Sequence, residues 1–234
     1  MKRGFIRGLW GVFDTSDRFK KRRFGIENDI EVIQKNKFNT PFRTYIMGDD
    51  NYECFKKYGF SDAVLINKDP FKFDLVKHQY RNKIEIIQHA FENDGYDELV
   101  YLDWDCVPQK KLLDTFWEEM GKKESIQANL QQYKRRQCSW RTVEQRKVPN
   151  GGFLYIRDKK IADLAVKKWE SLGENFNDEL SWASITDDMS GGWNGIENYW
   201  KNFESMFSNL HKGSPYSEDL LKSKDVYFVH YQGK

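Results

Sequence analysis

Leu99-Val100-Tyr101-Leu102-Asp103-Trp104-Asp105-Cys106-Val107-Pro108 is an apolar run that ends by delivering two carboxylates, and it holds the chain's only Asp-x-Asp. A run this apolar predicts a strand buried on both faces of a mainly parallel sheet, and open α/β sheets bind ligands just beyond the carboxyl ends of such strands. Two carboxylates facing one crevice repel each other unless a cation lies between them. An all-oxygen pair favours a hard divalent ion, Mg²⁺ or Mn²⁺, and the natural third party is a diphosphate.

The segments before this run alternate between strand and helix. Gly4 to Phe13 predicts a first strand, and Arg18 to Lys35 a helix in which Ile26, Ile30 and Ile33 recur at helical spacing. Phe42 to Met47 and Ala63 to Ile66 are strands, separated by a helix from Asn51 to Tyr58 that Gly59 would cap. A longer helix over Lys77 to Asn93 carries Tyr80, Ile84, Ile87 and Phe91 on one face and exits at Gly95. This alternation is the mark of a doubly wound α/β sheet.

Downstream the pattern is less regular. A helix is predicted over Lys111 to Met120, a strand over Ser125 to Asn129, and a loop or excursion with basic residues over 131 to 147. Pro149-Asn150-Gly151-Gly152 reads as a break before a strand at Phe153 to Ile156, and Lys159 to Leu172 as a helix. The stretch from Asn175 to Gly195 is rich in Asp, Ser, Gly and Trp. Helix is predicted again at Ile196 to Leu210, and a last short strand at Val226 to Val229 leads to His230. No internal repeat or low-complexity segment interrupts what reads as one domain.

At 234 residues, with 39% hydrophobic and 16% aromatic content, the chain can build a large core. Lys and Arg number 38 against 36 Asp and Glu, so the overall charge gives no reason to expect nucleic acid as a partner. Basic residues cluster at Lys20 to Arg23 and at Lys134 to Arg136 with Arg141, Arg146 and Lys147; these are solvated faces, or the second cluster holds an anion. Cys54, Cys106 and Cys138 lack metal-ligand spacing and suggest reduced thiols in a cytoplasmic setting. The basic start is interrupted at Arg7, and no run approaches ~18 apolar residues, so neither a signal peptide nor a membrane span is expected. The chain stops directly after an apolar strand, which leaves open that it is one domain of a longer protein.

Strand, Asp-x-Asp, Asn-Gly-Gly before a later strand, and a terminal His-x-x-Gly together resemble the GT-A fold glycosyltransferases. The nearest pattern is that of the glycogenin and bacterial lipopolysaccharide galactosyltransferase family, whose YDxVVYLDxDxL strand is similar to Tyr96-Asp97-Glu98-Leu99-Val100-Tyr101-Leu102-Asp103-Trp104-Asp105. Compact glycosyltransferase domains of large algal viruses and of bacterial surface-glycan clusters look similar as well. The resemblance implies a Rossmann-like, mixed and mainly parallel sheet flanked by helices in a single domain. Residues 1–108 would form the nucleotide-sugar half and 109–234 the acceptor half.

The resemblance also implies roles. Asp103 and Asp105 would bind Mn²⁺ or Mg²⁺, chiefly through Asp105, while Asp103 touches ribose or a metal-bound water; His230 would complete the set as a neutral imidazole. Arg81 or Lys83, on the helix before the acidic strand, would face the nucleotide. Trp104, Asn150, Gly151 and Gly152 join the donor-binding set, since glycine lets a ligand approach the backbone. Gly233 matches the late motif, whereas Lys234 arrives two positions earlier than the family's lysine. Phe13, at the end of the first strand, would contact the base of a UDP-sugar donor. An inverting reaction needs a carboxylate to take the acceptor hydroxyl's proton, and Asp187 or Asp188 is the candidate; a retaining reaction needs no such base, and the pair would hold sugar hydroxyls. Trp182, Trp193 and Trp200 either stack on a glycan acceptor or belong to the core.

Two other readings compete. Asp103-x-Asp105-x-Val107 also matches the haloacid-dehalogenase-type phosphatase signature, in which the first aspartate is the nucleophile, although that signature usually lies on the first strand of its fold. The remaining reading is a non-catalytic domain that holds a nucleotide sugar or glycan without turnover.

Overall fold

A computed structural model describes residues 1–10, 40–56, 63–68, 80–103, 106–108, 111, 112, 114–121, 126–132, 147–172, 182, 185, 207–209 and 228–230. Strands β1 (Arg3–Leu9), β2 (Phe42–Met47), β3 (Ala63–Ile66), β4 (Glu98–Leu102), β6 (Ile126–Gln132) and β7 (Lys147–Ile156) form a six-stranded sheet in the order β3-β2-β1-β4-β7-β6. Pairings β3-β2, β2-β1 and β1-β4 are parallel, while β7 runs antiparallel to both β4 and β6. This is a mixed, mainly parallel α/β sheet, as the alternation of elements predicts.

The period-2 geometry of strands sorts the core into two layers. Ile6, Leu99, Tyr101, Leu154 and Ile156 face one side, where they meet α2 (Arg81–Asp94) and α4 (Lys159–Leu172) through Ile84, Ile87, Ile161 and Ala165. Phe5, Val100, Leu102, Phe153 and Tyr155 face the other, against Phe116, Trp117 and Met120 of α3 (Phe116–Gly121) and Phe228 of β9 (Phe228–His230). All five residues of β4 are buried, which is why their sequence shows no polar alternation. Trp182 is also fully buried and belongs to the α2/α4 layer, so of the two roles considered for it the core role holds.

Several boundaries differ from the sequence reading. The apolar run 99–108 divides: β4 ends at Leu102, and Cys106–Pro108 is a separate strand, β5, in a three-stranded sheet of order β5-β9-β8, where β8 is Phe207–Asn209. The turn between them is closed by the Cys106 N–H donating to the Asp103 carbonyl at 3.0 Å. The helix expected from Lys111 starts at Phe116; Leu112 is buried in the core and Asp114 and Thr115 form a turn, residue types suited to a helix start.

Residues 131, 132 and 147–150, read as loop and breaker, are strand. Pro149-Asn150-Gly151-Gly152 does not end β7 but bulges it: Ala128 pairs with Leu154 and Leu130 with Pro149, two steps on β6 against five on β7. Glycine and proline are tolerated in a sheet at such irregularities. Phe207–Asn209, predicted helical, is strand β8, drawn into parallel pairing with β9. The first strand is described as ending at Leu9, and α1 spans Asp49–Lys56. The helix predicted over 18 to 35, the cap at Gly59 and the ends of several elements lie outside the described residues. No helix among those described is long and apolar enough to cross a membrane.

Candidate functional site

Site geometry follows from where β4 stops. Asp103 is the first residue past β4, at the carboxyl edge of the parallel strands, and its side chain is 24% exposed. Its N–H donates to the Gly152 carbonyl at 3.0 Å, which extends the β4-β7 pairing one step beyond Leu102↔Phe153. The acidic tip is therefore fixed by a backbone bond to the glycine pair.

Lys83 closes the arrangement from α2. Its ammonium lies 3.0 Å from Asp103 Oδ1 and 3.1 Å from Oδ2, and it donates to the Gly151 carbonyl at 3.1 Å. The side chain is only 2% exposed, with the Tyr101 and Tyr80 rings 5.3 and 5.5 Å from the ammonium. A buried lysine is tolerated when paired and hydrogen-bonded, and here the partners come from two different strands. Of the two basic candidates on this helix, Lys83 is thus the one joined to Asp103. Arg81 is held at its other side: it pairs with Glu85 at 2.6 Å, donates to the Val166 carbonyl at 3.0 Å and reaches Glu170 at 3.3 Å. Burial pushes the Glu85 carboxyl up, but the Lys68 hydrogen bond and the Arg81 charge outweigh it and hold Glu85 below its usual range.

The lower end of β4 is fixed by a second charged contact. Glu98 is buried, with Arg3 2.5 Å from its carboxylate and the Tyr155 hydroxyl donating to it. Burial raises the Tyr155 phenol, and the Glu98 bond raises it further. β4 is consequently held at both ends, and neither the Gly151 carbonyl contact nor the Glu98 lock is visible as a sequence motif.

For a cation the relevant described feature is a register. Cys106 pairs with His230 across β5 and β9, while Asp105 itself lies outside the described residues. Asp103 stands at the start of the same turn. Carboxylate oxygens and a neutral imidazole are donor types that suit a divalent ion, but the described residues alone contain no cluster of three or more His, Cys, Asp or Glu groups able to hold one. Asn150 lies on β7 at the bulge. Phe13, Trp104, Asp105, Asp187, Asp188, Trp193, Trp200, Gly233 and Lys234 lie outside the described residues. Cys106 is buried.

This parallel sheet with a reversed β7 beside the acid-tipped β4 is the GT-A fold. Among the solved structures that share it are a glycosyltransferase involved in the glycosylation of the major capsid of PBCV-1 (12% identity, TM-score 0.55, covering 98% of this chain and 93% of that one), and the galactosyltransferase LgtC in complex with donor and acceptor sugar analogs (14%, 0.53, 98% and 87%). A third is the bifunctional glycosyltransferase WbbM (9%, 0.57), of which this chain, covered in full, spans 46%. At these identities the likeness is one of fold. No protein-family profile matches the sequence, and no curated protein does.

Proposed function

We propose that this chain is a metal-dependent glycosyltransferase that moves a hexosyl group from a nucleoside diphosphate sugar, UDP-linked, to a hydroxyl of a glycan acceptor. The observation that carries the reading is the tip of β4: Asp103, held by Lys83 and the Gly152 carbonyl at the carboxyl edge of a GT-A sheet. Glycosyltransferase identities among the structural neighbours support it.

In this reading Asp105 and His230 bind Mn²⁺ or Mg²⁺, and Asp103 orients the donor or a metal-bound water. The ion, when bound, stabilises the negative charge on the departing nucleoside diphosphate as a Lewis acid. The bulged backbone at Asn150, Gly151 and Gly152 gives the donor sugar a wall without side chains at two of its three positions. Phe13 and Trp104 line the nucleotide, and Gly233 and Lys234 approach its phosphates. Asp187 or Asp188 takes the acceptor proton if the configuration inverts. Residues 1–108 provide the donor half and 109–234 the acceptor half.

The phosphatase signature usually lies on the first strand of its fold, whereas β1, Arg3–Leu9, contains no carboxylate and the Asp-x-Asp follows β4. A non-catalytic binding domain differs from the enzyme only in turnover. Thermal unfolding tests the main reading: UDP at about a hundred times its Kd stabilises by ~2.7 kcal/mol, or about 5–10 °C for a chain of this length, and should do so only with Mn²⁺ or Mg²⁺. Asp105→Ala should abolish the shift while the protein stays folded. An unchanged shift in that variant would remove Asp105 from the site, and release of UDP from a UDP-hexose with acceptor present separates enzyme from binder.

A further inference from the structure

We propose that Tyr80 binds sugar, its ring carrying the apolar C–H face of a hexopyranose beside the acid tip of β4. The inference rests on the reading above and adds a residue that selects a hexose at that site. Tyr80 stands at the N-terminal cap of α2 and continues the face of Ile84, Ile87 and Phe91 by one turn. Those three are buried, as the stripe at helical spacing predicts, whereas Tyr80 is 39% exposed. Among the described residues only Met1, at the terminus, is another large apolar side chain so exposed. Nor does the Tyr80 side chain cap the helix by a hydrogen bond, a role suited to Asn, Asp, Ser or Thr. The ring is thus neither sealed into the core nor used as a cap.

Its surroundings point to a ligand. The Lys83 ammonium lies 5.5 Å from the centre of the Tyr80 ring, and the same nitrogen is 3.0 Å from Asp103 Oδ1 and 3.1 Å from the Gly151 carbonyl oxygen. The ring therefore borders both the acid tip and the glycine pair, and the cation beside it gives it a preferred orientation. Ring chemistry decides the kind of ligand. The face of an aromatic ring is negative and disfavours a phosphate or carboxylate, whereas its apolar surface and hydroxyl tip match a group with one apolar face and a polar rim. A hexopyranose is such a group. Placed against Tyr80, it is either the hexosyl group of the donor or the terminal residue of the acceptor, the two sugars that meet at the reaction centre.

The test is calorimetric titration of the 234-residue protein, in Mn²⁺ or Mg²⁺, with UDP, UDP-glucose and UDP-galactose, and then, with UDP saturating, with lactose and methyl β-D-glucoside. Tyr80→Leu keeps apolar bulk and removes the ring; Tyr80→Phe keeps the ring and removes the hydroxyl. Tyr80→Leu should bind UDP as wild type does and lose about three- to tenfold in affinity for at least one hexose-bearing probe, the scale of a single aromatic contact. A loss confined to the UDP-hexoses assigns the ring to the donor, one confined to the glycosides assigns it to the acceptor, and a loss in both places it between the two. Tyr80→Phe should match wild type. If Tyr80→Leu does not fold, Tyr80→Met removes the ring with similar bulk and carries the same expectation. The proposal is overturned if the folded ringless variant binds every hexose probe as wild type does, or if it loses UDP itself to the same extent. It is overturned equally if Tyr80→Phe loses as much as the ringless variant, or if wild type binds UDP but no hexose-bearing probe. Failure of wild type to bind UDP with either ion would sink the glycosyltransferase reading and this inference with it.

Discussion

Adding a single methyl at Gly8 tests whether the β1–α2 contact sets the position of Lys83. Gly8 lies in β1 opposite Tyr45, and a Cβ there would stand 2.5 Å from Ile86 Cδ1 and 2.9 Å from Trp10 Cζ3. Ile86 is fully buried, so its methyl cannot simply swing away into solvent. Overpacking of this kind costs about 1–3 kcal/mol, against ~0.4–1 kcal/mol regained because alanine restricts the unfolded chain. Gly8→Ala should therefore destabilise by about 1–2 kcal/mol, or roughly 2–8 °C. Ile86→Val deletes the obstructing Cδ1 and by itself costs ~0.5–1.5 kcal/mol. In the double variant the new methyl occupies the vacated space. Trp10 still crowds it, so relief is partial and a favourable coupling of about 1 kcal/mol is expected. Ile86 follows Lys83 by three residues on the same face of α2, so Gly8→Ala should also weaken Mn²⁺-UDP binding, and Ile86→Val should restore part of it. Urea unfolding of the four proteins, followed by tryptophan fluorescence, measures the cycle. Effects that add to within ~0.3–0.5 kcal/mol would refute the contact as the cause.

Two further outcomes concern α2. Glu85 titrates below its usual range in the folded protein, so its contribution is full above the unfolded value near pH ~4.3 and is lost as pH falls through the folded value. Glu85→Gln should lower stability by about 1.5 kcal/mol at neutral pH, and the gap from wild type should close below about pH 4 in pH-dependent urea melts. At the other end of the helix Gly95 has φ 63° and ψ 42°, the left-handed cap conformation, so Gly95→Ala should cost about 1 kcal/mol and Gly95→Asn less, by the same melts.

What could be read from the sequence was what depends on short-range pattern. β2, β3 and β4 show up as apolar runs bounded by polar residues, and α2 as a stripe at helical spacing. Pairings between distant segments could not be read. Phe207–Asn209 carries no local sign that β9 will draw it into a sheet, and the continuity of 99–108 conceals the turn that assigns its two halves to different sheets. Pro149 to Gly152 has the local chemistry of a breaker, and only the ladders of β4 and β6 on either side make it strand. Helical phase does not separate Lys83 from Arg81: Lys83 is in phase with Ile86, Ile87 and Ala90, Arg81 with Ile84, and both basic side chains are buried and must find partners inside the protein. Only the tertiary contacts of Lys83 with Asp103 and Gly151 distinguish them.

The reversal of β7 has an architectural consequence. Because Leu102 pairs with Phe153, the six residues Lys147–Gly152 continue past the end of β4, and their outer part is braced by Leu130, Gln131 and Gln132. The result is a two-stranded extension of the main sheet beyond the end of β4. Its root is clamped by the contacts of Gly151 and Gly152, at a point separate from the outer pairing of Leu130, Gln131 and Gln132 with Pro149, Val148 and Lys147. A chain built this way carries its outer strand pairing and its Lys83-bound root as separate parts, one set by backbone ladders and the other by a buried side chain.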